Sequence, residues 1–192
     1  MKKYITLITF LLGVHISIAQ KDIQIKIDSL IQSNYKENYP GISVLITKNG
    51  KPIYRNAYGK SNLELNTELK PENVFQIGSI TKQFTAVSIL ILEEQGKLNL
   101  NDSIEKYIPD FPKEGRKITI HQLLNHTSGI KNSTPAGKTG FQSRKDMTSV
   151  QLIDYIKNNS LDFEPGSKFK YSNAGYILLG RIIEIVSGIT KD

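Results

Sequence analysis

The chain has 192 residues, 39% hydrophobic and 22% charged, which suits one folded domain and excludes a disordered or coiled-coil protein. It has no cysteine and only three histidines, one of them (His15) in the leader predicted below, so we expect no disulfide, no metal site and no other cofactor. The formal net charge of +7 is spread over short, interrupted stretches, so we expect no nucleic-acid partner.

Residues 1–19 are typical of a secretory signal peptide. Lysines at the start precede an apolar run from Ile5 to Ile18, and small residues stand at a cleavage site before Gln20. A retained membrane helix is the alternative, but the run is shorter than the roughly 20 apolar residues that cross a bilayer. We therefore expect an exported, periplasmic or extracellular protein without a stable membrane span after cleavage, with residues 20–192 as one partial domain.

The next segments predict a helix followed by an antiparallel hairpin. Apolar residues recur at helical spacing over residues 22–36. Two strand-like segments follow, residues 42–47 and a second one through Tyr58, and Asn49-Gly50 between them is the strongest short signal for a hairpin turn. A helix followed by a hairpin favours an α+β fold over alternating parallel units.

The second half of the chain predicts mainly helices. Residues 79–95 are predicted to form a helix closed by a glycine, and the apolar residues around its middle predict that it runs through the protein interior. Capping boxes at Thr119 and Thr148 predict that two further helices begin there. A polar stretch over residues 127–147 predicts a long surface loop, and a last helix is predicted over about 174–188.

The first motif with catalytic potential is Ser79-Ile80-Thr81-Lys82. The pattern Ser-x-x-Lys occurs five times, so it is weak alone, and only Ser79 both follows a glycine and opens a helix that is predicted to be buried. Residues three apart share one helix face, so the Lys82 amine can reach the Ser79 hydroxyl and take its proton if burial disfavours the charged amine. The alternative is that Ser79 caps the helix while Lys82 extends to water. The other four copies start at Ser33, Ser103, Ser128 and Ser167.

The second motif is Tyr171-Ser172-Asn173. In an extended segment the first and third side chains point the same way, so the Tyr171 hydroxyl and the Asn173 amide are predicted to face one cleft. A tyrosinate near cations can act as a base or an acid, and an amide can orient a lysine or a substrate carbonyl. The alternative is that Ser172 or Asn173 caps the next helix while Tyr171 packs by its ring.

Three blocks of sequence together resemble the serine β-lactamase and penicillin-binding-protein superfamily, above all its branch of class C β-lactamases, D-alanyl-D-alanine carboxypeptidases and esterases. The blocks are Phe75–Ala86, Leu123–Ile130 and Glu164–Tyr176, and they follow the order of the family. The resemblance implies an antiparallel sheet flanked by helices, with a mainly helical region that meets the sheet at the active-site cleft. It gives no chemical role to the turn that contains His126.

The resemblance also implies roles for the candidate residues. Ser79 is similar to the acylated nucleophile, Lys82 to its activating partner, Tyr171 to the general base and acid, and Asn173 to the residue that orients Lys82 and the substrate. The implied activity is that of an exported serine hydrolase that forms an acyl-enzyme on Ser79. Its substrates would be β-lactams, D-alanyl peptides derived from peptidoglycan, or small esters, and the residues do not indicate which of these, nor the oligomeric state.

One family motif has no counterpart at its usual place. A Lys-Thr-Gly or His-x-Gly motif on a strand beside the nucleophile is expected well after Tyr171, and none follows it in this sequence. Lys138-Thr139-Gly140 precedes Tyr171 and lies in the predicted loop, so we interpret it as a chance match. We therefore expect the N-terminal portion of a complete domain, with the C-terminal strands missing. The alternative function is a catalytically inactive, truncated or cell-envelope-binding homologue.

Overall fold

The computed structural model describes residues 22–36, 38–109, 111, 115–132 and 147–189. The predicted signal peptide and Lys138-Thr139-Gly140 lie outside these ranges. The chain divides into two compact units, Met1–Gln76 and Ile77–Asp192. Within the described ranges, no helix combines the length and the apolar character that a bilayer crossing requires.

The first unit contains a helix and a β-hairpin, as predicted. Helix α1 covers residues 22–34, and strands β1 (Ile42–Lys48) and β2 (Lys51–Tyr58) pair antiparallel. Asn49 has a φ of 50° and Gly50 a φ of 73°, the pair of positive values that lets a tight turn follow the twist of the strands. The hairpin signal in the sequence is therefore confirmed at its turn.

Asp28 links α1 to the hairpin. The hydroxyls of Tyr54 and Tyr58 on β2 both donate to Asp28 Oδ1, and Asn56 Nδ2 donates to the same oxygen at 3.4 Å. The hydrogen bonds from Tyr54 and then Tyr58 lower the pKa of Asp28, because they favour its charged form. Burial raises the pKa of both Tyr54 and Tyr58, so the two phenols stay protonated and donate.

A second, short hairpin follows in a stretch that the sequence marks only as polar. Strand β3 (Lys60–Asn62) pairs antiparallel with β4 (Thr67–Glu68). The turn between them uses Asn66 at a φ of 50°, a conformation that asparagine tolerates better than most residues. The strands are too short to show an alternating pattern, which is why sequence periodicity did not predict them.

The second unit is mainly helical. Its elements in chain order are a 3-10 turn (Gly78–Ile80), α2 (Thr81–Glu94), a second 3-10 turn (Ile104–Lys106), α3 (Ile120–Leu124), α4 (Ser149–Lys157) and α5 (Asn173–Ser187). Both predicted capping boxes are present, since the hydroxyls of Thr119 and Thr148 each accept the backbone N–H three residues on.

The core of the second unit forms where α2, α3 and α4 pack on α5. Its largest fully buried side chains come from all of these helices and from the segment between α2 and α3. They are Ile89, Ile104, Phe111, Ile118, Ile120, Leu123, Ile156, Leu178, Leu179 and Ile182. Because Ser79 lies just before α2 and Asn173 begins α5, this packing fixes the two ends of the candidate site.

The prediction that α2 runs through the interior is wrong for the described residues. Ile89 and Leu92 are the buried residues of α2, whereas Phe84, Val87 and Ile91 are between 45% and 65% exposed. One face of the helix packs on α5, and the opposite apolar face is open in this part of the chain. Apolar residues on every side predict that other parts of a protein pack around the helix, but they do not identify which parts do so. Lys82 is accordingly half-buried rather than buried.

Candidate active site

Ser79 lies in the 3-10 turn that leads into α2. The turn begins at Gly78, whose φ of 54° falls in a region that glycine enters at no steric cost. The N-cap positions of the turn and of α2 are held by Ile77 and Ile80, so Ser79 is not the helix cap considered as the alternative. Its hydroxyl is exposed and turned to other side chains.

The four predicted site residues form a continuous series of hydrogen bonds. The Ser79 Oγ and the Tyr171 hydroxyl are 2.8 Å apart, and Lys82 Nζ donates to Ser79 Oγ at 3.4 Å. Lys82 Nζ also donates to Asn173 Oδ1 at 2.7 Å. The structure therefore brings together residues that are 91 and 92 positions apart in sequence, while their catalytic roles stay predictions.

The other Ser-x-x-Lys copies have different surroundings. In the copies that start at Ser103 and Ser167, the lysine pairs with an aspartate. In the copies that start at Ser33 and Ser128, the serine hydroxyl bonds to nearby backbone. The copy at Ser79 thus differs from them by the contact between its own serine and lysine, which the sequence context favoured.

Lys82 provides the positive charge of the site. Its Nζ lies 4.8 Å from the centre of the Tyr171 ring and 5.5 Å from that of Tyr176. The hydrogen bond with Lys82, followed by that with Ser79, lowers the pKa of Tyr171. A lowered pKa makes the phenolate more available near neutral pH, which is the property that a general base needs.

The segment before α5 shows both the predicted cleft contact and the alternative of helix capping and ring packing. Ser172 is buried, and its hydroxyl caps α5 by accepting the N–H of Gly175 at 3.2 Å. The ring of Tyr171 packs on the ring of His126, with their centres 4.8 Å apart. Capping and ring packing therefore coexist with the contact to Ser79, because they use different parts of the same three residues.

Sequence reasoning missed two residues that hold this segment. His126 Nδ1 accepts the N–H of Ser172 at 3.2 Å, and Asn132 Oδ1 accepts the N–H of Asn173 at 2.8 Å. His126 belongs to the second family block, which marked it for attention but only as part of a turn. Nothing in the local sequence distinguishes Asn132 from other loop asparagines, so no pattern could have identified it.

Comparisons with known proteins agree on one family. Residues 27–191 match the sequence model of the family described as Beta-lactamase. Protein flp of Staphylococcus aureus (strain COL) is 36% identical over 171 residues, which cover 86% of this chain and 34% of that protein. The chain thus spans about a third of the length of this relative.

Two solved structures resemble the chain in fold. The octameric penicillin-binding protein homologue from Pyrococcus abyssi is 36% identical, with a TM-score of 0.72 over 86% of this chain and 39% of that one. EstCE1, a hydrolase with promiscuous acyltransferase activity, is 28% identical, with a TM-score of 0.75 over 89% of this chain and 49% of that one. These likenesses confirm the predicted α+β fold class.

Proposed function

Since the chain belongs to the Beta-lactamase family of serine hydrolases, as its three sequence blocks predicted, we propose that it acts by forming an acyl-enzyme on Ser79. The observation that carries this proposal is the series of hydrogen bonds from Tyr171 through Ser79 and Lys82 to Asn173. It gives an exposed hydroxyl both a partner for its proton and a neighbouring positive charge, which are the two requirements of an activated serine nucleophile.

The distances support a proposed role for each group in acylation. Tyr171, as phenolate, takes the Ser79 proton across 2.8 Å while Oγ bonds to the substrate carbonyl carbon. The same proton then passes from Tyr171 to the leaving nitrogen or oxygen, and the acyl bond breaks. Lys82 stabilises the phenolate, and Asn173 holds the Lys82 amine in place at 2.7 Å. Water then attacks the acyl carbon while Tyr171 takes a proton from it. Tyr171 passes this proton to Ser79 Oγ as the bond from Oγ to the acyl carbon breaks, which releases the carboxylic acid and restores the free serine.

We infer that the substrates are carboxylic acyl compounds: β-lactams, D-alanyl peptides or small esters. The relation to a penicillin-binding protein homologue and to a hydrolase with acyltransferase activity supports this substrate class. Export to the periplasm or the extracellular space is part of the same proposal, and the signal-peptide pattern of residues 1–19 supports it.

Labelling of Ser79 tests the proposal. We expect a fluorophosphonate probe or a fluorescent penicillin to modify the whole protein, with Ser79 as the modified residue in peptide mapping. The variant Ser79→Ala should lose the label, and Ser33→Ala, which removes the serine of another Ser-x-x-Lys copy, should keep it. A folded whole protein that neither probe labels at Ser79 would contradict the proposal. Binding of cell-wall fragments that survives Ser79→Ala, without hydrolysis, would favour the envelope-binding alternative.

A further inference from the structure

We propose that His126 is a positioning residue of the Ser79 site and that it acts only in its neutral form. In this arrangement His126 holds the segment that carries Tyr171 and Asn173, and so sets the distance between the Tyr171 and Ser79 hydroxyls. The inference rests on the proposed acylation of Ser79, to which it adds a residue that touches neither the substrate nor the reacting atoms.

The backbone of this segment is held on both sides of Tyr171. The His126 carbonyl oxygen accepts the N–H of Lys170 at 2.9 Å, and His126 Nδ1 accepts the N–H of Ser172 at 3.2 Å. One residue therefore binds the amides immediately before and after Tyr171. His126 can present both acceptors because its φ of 62° turns its backbone at the end of α3.

The His126 ring fixes the direction of the Tyr171 ring. The two ring centres are 4.8 Å apart with an interplanar angle of 40°, and the His126 ring also lies 5.2 Å from Tyr176 on α5. Phe169 meets the His126 ring edge to face at 5.9 Å. This ring contact favours the orientation in which the Tyr171 hydroxyl points at Ser79.

These contacts require a neutral imidazole. Nδ1 accepts a hydrogen bond only when it carries no hydrogen, so the ring hydrogen lies on Nε2. Protonation would turn Nδ1 into a donor that faces the donor N–H of Ser172, and would add a second positive charge near Lys82. The titratable groups that face the ring are Lys82 on α2, Tyr171 before α5 and Tyr176 on α5.

The surroundings of His126 keep its imidazole neutral over a wider pH range than that of an ordinary histidine. Burial, followed by the charge of Lys82, lowers the pKa of His126 below its ordinary value of 6.5. The unfolded chain therefore binds this proton at a higher pH than the folded one does. The contribution of His126 to folding is fully present above pH 6.5 and falls as the pH drops toward the lowered value.

Paired variants of the whole protein separate the two functions of the residue. His126→Phe keeps an aromatic ring and removes the acceptor, whereas His126→Asn keeps an acceptor, tolerates the positive φ and removes the ring. We expect the fluorophosphonate probe to label Ser79 about 10- to 100-fold more slowly in His126→Phe, with a smaller loss in His126→Asn. His121→Phe, an exposed histidine on α3, is the matched control and should label at the wild-type rate.

The pH profile distinguishes positioning from a general loss of structure. As the pH falls through the lowered pKa of His126, the wild-type labelling rate should drop more steeply than that of His126→Phe, because only the wild type loses its acceptor on protonation. Equal rates and equal profiles for the wild type and His126→Phe would overturn the proposal.

Imidazole nuclear magnetic resonance tests the inference without any labelling and does not depend on the variants folding. Long-range ¹H–¹⁵N spectra of the wild type should show the His126 hydrogen on Nε2, and the Ser172 amide should shift as His126 titrates. A hydrogen on Nδ1 at neutral pH would overturn the proposal. If Ser79 is never labelled but the Ser172 amide follows the His126 titration, the proposed acylation fails while the positioning contact is supported.

Discussion

At the scale of single residues, the candidate site depends on the pairing of one amine with one phenol. Lys82 contacts Ser79, Asn173 and the Tyr171 ring, and its hydrogen bond is the first cause of the lowered pKa of Tyr171. Local spacing alone predicts the amine as a base if it is buried, whereas the family resemblance implies that Tyr171 is the general base. Because Lys82 is half-buried and Tyr171 is 2.8 Å from Ser79, the phenol is the better candidate for taking the proton.

Replacement of Lys82 should move the pH dependence of Ser79 labelling. Lys82→Met keeps an unbranched side chain one atom shorter and removes the charge and the hydrogen bonds, so the pKa of Tyr171 should rise toward its ordinary value of 10.0. The labelling rate should then increase only at a more alkaline pH than in the wild type, measured with a fluorophosphonate probe across the pH range. Lys97→Met, an exposed lysine just after α2, should keep the wild-type profile. An unshifted profile in Lys82→Met would show that the amine does not tune Tyr171.

Removal of the Tyr171 hydroxyl should slow acylation without loosening the fold. Tyr171→Phe retains the ring that packs on His126 but cannot take the Ser79 proton, so we expect labelling to slow by about 100- to 10 000-fold. The melting temperature should stay close to that of the wild type. Tyr155→Phe on α4 is the control for loss of a phenol elsewhere. A Tyr171→Phe protein that labels at the wild-type rate would exclude Tyr171 as the base.

Local sequence could predict only part of this site. The contact between Ser79 and Lys82 follows from their spacing of three residues, which the 3-10 turn and the start of α2 preserve, so local sequence predicts it. The approach of Tyr171 and Asn173 across more than 90 positions required the family resemblance, because no periodic pattern encodes it. The contact from His126 Nδ1 to the Ser172 N–H joins a side chain to a distant backbone amide, and such bonds leave no local pattern.

At the scale of elements, the turn after α3 is joined to the loop before α5. Asp162 N–H donates to the Gly129 carbonyl and Gly166 N–H donates to the Thr127 carbonyl, each at 2.8 Å. Gly129 has a φ of 74°, and the carbonyl oxygen of Phe163 occupies the position that a Cβ would take. A glycine is therefore required there for both conformation and space.

Two glycine variants should separate these requirements. Gly96→Ala, at a φ of 67° with open space around it, should cost about 1 kcal/mol of unfolding free energy, since only the backbone is strained. Gly129→Ala should cost about 3 kcal/mol, because the Phe163 carbonyl must also move. Urea unfolding of both variants measures the difference. Equal losses of unfolding free energy in the two variants would show that the Phe163 carbonyl moves away from the added methyl group at no cost.

At the scale of the whole molecule, the order and type of the main elements could be predicted, but not which surfaces meet. Apolar periodicity, the Asn49-Gly50 turn and the capping boxes at Thr119 and Thr148 gave the helices and the first hairpin. Burial of α2 could not be predicted from its composition, because exposure depends on what other parts of a protein cover a face. Folded proteins seldom leave a continuous apolar stripe open without an interaction to make.

The open stripe on α2 should make the 192-residue chain associate in solution. Ile80, Phe84, Val87 and Ile91 recur at helical spacing and are between 45% and 65% exposed. The double change of Phe84 and Val87 to Glu should reduce association, measured by sedimentation or light scattering. Leu65→Glu removes an exposed leucine of the first unit, outside α2, and should have little effect. Unchanged association in the double variant would contradict a role for the stripe.

The predicted nucleophile Ser79 lies just before α2, and Asn173, whose side chain binds the Lys82 amine, begins α5. The two helices share the same packed interior. A small slide of one helix along the other would change the separation of the Ser79 and Tyr171 hydroxyls. Removal of one methyl group from the core, as in Ile182→Val, should therefore change the rate of the proposed acylation of Ser79. The labelling rate of Ser79 would then measure how closely α2 and α5 pack.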